Sequence, residues 1–490
     1  MRKVFLLFCL AALLLPGCQM QPAAVSTSNP EMPAGTVEPI SSLATATPFP
    51  TRPAYAPGEL VDYVAQTGDT LPALAARFNT RVEEILAANT FIPRDATTMP
   101  PGMPMRIPIY YAPFRGSPYQ IMPDGLFING PAQIGFDTAS FIAGHPGWLR
   151  NYRAYAFSGM RTGAEIVDYV ALQYSISPRL LLALLEYQAG VLSAADVADE
   201  VRVYPLGYRN DLHQGLYSQL NWAANLLNNG YYGWRAGSLL SLDHLNGREE
   251  RPDPWQNAAT VSLQSYFIRF MEDAEYARAI GPDGLVNIYA DLFGDPWQAD
   301  VAHIPGSLQQ PGFNFPFRAG ATWSYTGGPH THWGSGEPLA ALDFAPGNTA
   351  SGCVPTDQWA TAVAPGVVAR TEFGTVVLDL DGDGDERTGW VVFYYHIAAE
   401  GQAVVGMVVQ TGDPLGHPSC EGGRSTGTHM HIARKYNGEW ILADGTLAFN
   451  LEGWVAVRGE GPYQGTLTRA GVTVIASAQA NAASQVQAGK

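Results

Sequence analysis

Gly427-Thr428-His429-Met430-His431 is the stretch on which the reading of this 490-residue chain turns. Residues two apart on a strand point to the same face, so both imidazoles share one side and Met430 faces the core. Two neutral ring nitrogens side by side begin a metal site, and one added carboxylate gives the nitrogen/oxygen donor set that suits zinc. Six of the ten histidines fall between residues 330 and 431: His330, His332, His396, His417, His429 and His431. Around them, β-branched and aromatic runs at 362–370, 375–380 and 391–395 alternate with Gly and Pro turns. They predict an antiparallel β-sheet domain over 303–465.

Outward from the histidine pair, CEGGRSTGTHMH (420–431) resembles the HxH signature of lysostaphin-like zinc metallopeptidases. That family's other metal stretch usually reads His, three residues, Asp. Here GGPHTHWGSGEPLAALDFAP (327–346) puts His330 thirteen residues before Asp343 and His332 eleven before it. The longer spacing is similar to the staphylolysin and β-lytic branch, whose first histidine matches His330, so His330 is preferred to His332. The resemblance implies zinc held by His330, Asp343 and His431, with a fourth position open to water. It implies His429 as general base. His396, closing Phe393-Tyr394-Tyr395-His396, would donate a hydrogen bond to the attacking water or the developing oxyanion. His417 sits in a Gly-Pro turn and reads as structural. The implied activity is hydrolysis of peptide bonds in peptidoglycan stem peptides or cross-bridges. Two alternatives use the same fold: a non-catalytic wall-binding or activator protein, expected to lack a ligand, and a peptidase of secreted proteins.

Asp379-Leu380-Asp381-Gly382-Asp383-Gly384-Asp385 matches the first half of a calcium loop. Trp390 stands where the closing glutamate belongs. The run is therefore either a Ca2+ site of Asp379, Asp381, Asp383 and Asp385 or a polar hairpin turn. Cys353 and Cys420 are the only cysteines beyond residue 18, and one disulfide between them is expected outside the cytoplasm.

The front of the chain reads as an export signal over 1–17. Arg2 and Lys3 precede an apolar run, Val4 to Leu15, too short to span a bilayer. Leu15-Pro16-Gly17-Cys18 resembles a bacterial lipobox, which implies acylation of Cys18 and an extracytoplasmic, membrane-anchored chain. Residues 18–58, rich in Pro, Ser and Thr, read as a disordered spacer. Over 61–109 a strand-helix-helix-strand unit follows; its YVAQTGDTLPALAARFNTRVEEILAANT (63–90) resembles a LysM module. The resemblance implies binding to N-acetylglucosamine-containing glycan. Thr80-Arg81-Val82-Glu83 is the expected capping box of its second helix.

Residues 140–300 have a helical pattern. PRLLLALLEYQAGVL (178–192) resembles the first core helix of lysozyme-like transglycosylases, but Gln188 stands where their catalytic glutamate would be. A glutamine cannot deliver a proton, and Glu186 lies on another face, so this domain reads as non-catalytic. Residues 470–490, mostly Ala, Gln and Ser, read as a fraying tail. A composition of 46% hydrophobic and 15% charged residues describes a globular protein of several domains. The net charge of -16 argues against a nucleic-acid partner.

Overall fold

The structure, a computed structural model, describes residues 52–110, 116–157, 159–347 and 352–489. The signal segment, Cys18 and most of the spacer lie outside the described residues. Phe49–Lys490 forms one compact unit.

Its first part pairs β1 (Glu59–Val64) antiparallel with β2 (Pro104–Ile109) and packs α1 (Leu71–Arg77) and α2 (Val82–Ala88) against them. Thr70 caps α1, its hydroxyl accepting from the Ala73 N–H; such a cap contributes about 1 kcal/mol. The box on α2 sits one residue later than its sequence pattern suggests. Arg81 is the cap, and Glu84 accepts from the Arg81 N–H at 3.2 Å and the Thr80 hydroxyl at 2.9 Å. Phe78, Ile85, Met105 and Ile107 fill the small core.

The middle region is helical, with α3 (Gly163–Tyr174), α4 (Pro178–Ala189), α5 (Gly215–Ala236) and α6 (Ala258–Phe267) as its largest pieces. Leu180, Leu181, Leu182, Leu184 and Leu185 of α4 are all buried, so the helix is central to this core. Ser177 caps it, Pro178 opens it and Gly190, at φ +60°, closes it. Glu186 accepts from the Leu192 N–H at 2.7 Å, a structural use that matches its position away from a reactive face.

The C-terminal part is a nine-stranded antiparallel sheet. Its strands are β3 (Thr322–His330), β4 (Ala341–Pro346), β5 (Gly366–Glu372), β6 (Gly374–Asp379), β7 (Trp390–Ile397), β8 (Val408–Val409), β9 (Met430–Tyr436), β10 (Glu439–Trp440) and β11 (Gln485–Gln487). The order is β8-β5-β6-β7-β9-β4-β3-β11, with β10 beside β9. Alternation decides what each face meets. Val376, Leu378, Val392, Tyr394 and Ile432 enter the domain's own core. Val377, Val391, Phe393, Tyr395 and Ala433, on the other face, share a core with the helices. In register, Tyr395 pairs with His431, so the helical region covers the very face that carries the histidine.

The expected fraying tail is instead ordered. Val486 and Ala488 are buried, and β11 pairs with β3 from Gln485↔Ser324 to Gln487↔Thr322. Two apolar side chains two apart suffice to seat an edge strand whose composition otherwise looks unstructured.

Polar bonds lock the parts together. Thr67, Thr97 and Thr98 of the first part bond the connecting segment 304–308, with Thr98 Oγ1 donating to Pro305 O at 2.7 Å and Thr97 Oγ1 to Leu308 O at 2.5 Å. The Trp255 indole donates to Asp62 O at 2.8 Å. At the centre, buried Arg235 of α5 pairs with Glu439 of β10 at 3.0 Å and with Asp124 at 3.1 Å, and it donates to Thr67 O. His303 and Tyr231 also bond Glu439, at 2.6 and 2.8 Å.

Candidate metal centre

The site is assembled by strand register. In the β4–β9 ladder Asp343 stands directly opposite His431, and on the far side β3 ends at His330, opposite Ala341. Cross-strand neighbours on one face lie about 4.5–5.5 Å apart at Cβ, close enough for their tips to meet. Gly327 faces Asp343 across the β3–β4 pair, and a Cβ there would come within 2.5 Å of Oδ2. Only glycine leaves room for that carboxylate.

Three donor atoms converge. His330 Nε2 lies 3.2 Å from Asp343 Oδ1 and 3.0 Å from His431 Nδ1, and His431 Nδ1 lies 3.1 Å from the same oxygen. All three residues are buried. His330 Nδ1 faces Gly328 O at 2.8 Å, and a carbonyl can only accept, so the proton sits on Nδ1 and Nε2 presents a bare lone pair. Lone pairs of two nitrogens and a carboxylate packed this closely repel one another unless a cation lies between them. A tetrahedral ion with bonds of about 2.0–2.1 Å holds its ligand atoms about 3.3 Å apart, near the observed triangle. The donor set and the geometry both fit zinc. Burial pushes the Asp343 carboxyl up, but the imidazoles of His330, His429 and His431 set around it outweigh this and hold it well below the usual carboxylate range.

Two further imidazoles face the same cleft of about 460 Å³. His429 Nδ1 faces Gly427 O at 2.8 Å, leaving Nε2 bare and 3.8 Å from Asp343 Oδ1. His396 lies beside it, ring centroids 4.5 Å apart, and its Nδ1 faces Glu421 O at 2.9 Å. His396 also has a left-handed backbone, φ +61°, a conformation that costs a non-glycine residue about 1–3 kcal/mol and clusters at working sites. Its expected role needs a correction. With the Nδ1 proton given to Glu421 O, neutral His396 can only accept through Nε2. Burial, with His429 and His431 nearby, pushes its pKa down to about 3, so the neutral form prevails.

Of the two histidines weighed as first ligand, His330 joins the triangle. His332 is buried elsewhere, stacked on Trp440 at 3.9 Å. His417 packs on Trp359 and bonds Gln358 O, away from the cleft. The Asp-rich run forms a turn closed on itself: Asp379 accepts from the Asp381, Gly382 and Gly384 N–H groups, and Asp385 pairs with Arg387 at 2.6 Å. The hairpin-turn reading accounts for these bonds, and Asp379, Asp381 and Asp383 each bring a carboxylate oxygen within 4.8 Å of the others. Sequence reasoning missed Tyr463, whose ring stacks on His330 at 4.1 Å, and Arg424, which also lines the cleft. Tyr463 sits in a Gly-rich loop 133 residues from His330 with no pattern to mark it.

Residues 120–307 match the family described as LasA, N-terminal domain, and residues 63–108 match the LysM domain. Protease LasA of Pseudomonas aeruginosa is 28% identical over 348 residues, covering 66% of this chain and 75% of that protein. Beta-lytic metalloendopeptidase of Lysobacter enzymogenes is 32% identical over 142 residues, 27% of this chain and 73% of that protein. The chain belongs to the LasA/β-lytic metallopeptidase family. A solved structure titled as the M23 metalloprotease pseudoalterin from the deep sea is 27% identical and covers 34% of this chain and 96% of that one, with a TM-score of 0.30. In this LasA/β-lytic chain the buried His330, Asp343 and His431 form the metal site, and the helices behind it fall within the stretch matching the LasA N-terminal domain.

The expected disulfide is present, Cys353–Cys420, with Cα atoms 5.7 Å apart. It ties residues 352–354 to the loop before His429 that lines the cleft, alongside Val354 N–H to Thr428 Oγ1 at 2.9 Å and Thr428 N–H to Gly352 O at 3.0 Å. Closing a loop with a sequence separation of 67 residues removes unfolded-state entropy worth about 4 kcal/mol. Replacing both cysteines by serine is expected to lower stability by up to about that amount in chemical unfolding; an unchanged midpoint would contradict it.

Proposed function

We propose that the chain is a zinc-dependent endopeptidase that hydrolyses peptide bonds in the stem peptides or cross-bridges of peptidoglycan. The observation that carries this is the convergence of the His330, Asp343 and His431 atoms within 3.2 Å, with His396 and His429 facing the same cleft. A bound zinc would polarise the scissile carbonyl and make water acidic enough to attack near neutral pH. His429 Nε2 then takes the proton of the attacking water, its ring held by Gly427 O. His396 Nε2 accepts the water's other hydrogen and so aims its lone pair, and His429 passes the proton it took to the leaving amine nitrogen as the C–N bond breaks. A merely wall-binding protein has no use for two extra imidazoles held this way.

The LysM match supports delivery to N-acetylglucosamine-containing glycan, and the disulfide fits an extracytoplasmic chain. Anchoring through an acylated Cys18 belongs to the same proposal. Among the described residues no helix is long and apolar enough to cross a membrane.

Purified peptidoglycan digested with and without a chelator, then analysed by mass spectrometry, tests the reading. New amino and carboxyl ends are expected, lost with the chelator and restored by zinc. Cleavage indifferent to the chelator, or none at all, would sink it.

A further inference from the structure

We infer that Arg424 recognises a free carboxylate on the peptide held in the cleft and so selects acidic over neutral wall peptides. This rests on the hydrolase reading above and adds the feature of the substrate that the site selects. Arg424 lines the same cleft as His396 and His429 and is its one Lys or Arg among the described residues. It is exposed, and no carboxylate among the described residues pairs with it.

The backbone on either side of it is fixed. Before it, Cys420 is bonded to Cys353, and Gly422 and Gly423 press so closely on Tyr395 that a Cβ at Gly422 would meet its ring at 2.5 Å and one at Gly423 its hydroxyl at 2.6 Å. After it, Ser425 Oγ donates to Gly427 O at 2.7 Å and lies 3.2 Å from His429 Nδ1. A charged side chain thus stands on backbone anchored on both sides, one residue from Ser425, whose hydroxyl touches His429 Nδ1.

Charge makes this position informative. The chain carries a net charge of -16, a field that repels anionic peptides. A lone guanidinium beside the reacting groups opposes that field where the substrate lies. Its planar fork matches a carboxylate with two parallel hydrogen bonds, whereas a glycine-only bridge offers it no charged partner. The selected substrates are therefore peptides with a carboxylate close to the scissile bond.

The test uses the zinc-loaded full chain and two peptides that differ only in a carboxylate or a carboxamide beside the cleavable bond, with kcat and KM measured separately. The wild type is expected to favour the carboxylate peptide about fivefold in kcat/KM, mainly through KM and less so at high salt. Arg424→Gln is expected to erase that ratio, Arg424→Lys to keep part of it, and Arg424→Glu to invert it. Equal kcat/KM for both peptides in the wild type, or a ratio unchanged in Arg424→Gln, overturns the assignment while leaving the hydrolase reading standing. Failure to cut either peptide overturns both.

Discussion

Replacing His431 by alanine is expected to remove the bound zinc and hydrolysis together, with the rate falling by at least about a thousandfold. His431 supplies one corner of the triangle and stands opposite Asp343 in the sheet, so its loss leaves two ligands, too few to hold the ion. His429→Ala separates the two roles. It takes away a base held by Gly427 O but no corner of the triangle, so zinc stays bound while the rate drops by about 10²–10⁴-fold. Metal analysis after dialysis, run beside a peptidase assay, reads both outcomes. Zinc and full rate persisting in His431→Ala would end the assignment of the site.

The second large effect is on stability. Glu439→Ala is expected to cost about 3–5 kcal/mol in urea unfolding, because it leaves buried Arg235 without its closest carboxylate. The same pair predicts acid sensitivity. Burial pushes the Glu439 carboxyl up, but Arg235 and His303 outweigh this and hold it at about 2 against an ordinary 4.5. Glu386, between Arg370 and Lys435, is likewise held at about 2. A pKa lower in the folded than in the unfolded chain stabilises fully above the unfolded value and fades as pH falls through the folded one. Stability is therefore expected to decline between about pH 4.5 and 2. A Glu439→Gln variant whose stability changed with pH as steeply as the wild type's would count against this account.

What the sequence made legible was whatever rests on local spacing. His429 and His431, two apart, announce a shared face; Thr70 and the leucines behind it announce a capped helix. The preference for His330 over His332 came from resemblance, and the structure separates them by register, because only the last residue of β3 reaches the Asp343–His431 pair. Features that depend on tertiary partners were hidden. Nothing around Arg235 or Glu439 signals that they meet across 204 residues. The tail was misread because its order comes from a neighbouring strand's edge. The tautomer of His396 depends on Glu421 O, 25 residues away, which no motif specifies.

The hydrogen bonds from Thr67, Thr97 and Thr98 to segment 304–308, with the Trp255–Asp62 bond, tie the LysM part to the helical region and to the segment that leads into the sheet domain. A module on a flexible tether lets its partner roam over a disc around each landing point. Under the proposed wall hydrolysis the two would act like the jaws of a calliper, so that each landing would allow cuts only at one radius and clearing a patch of wall would require letting go and landing again.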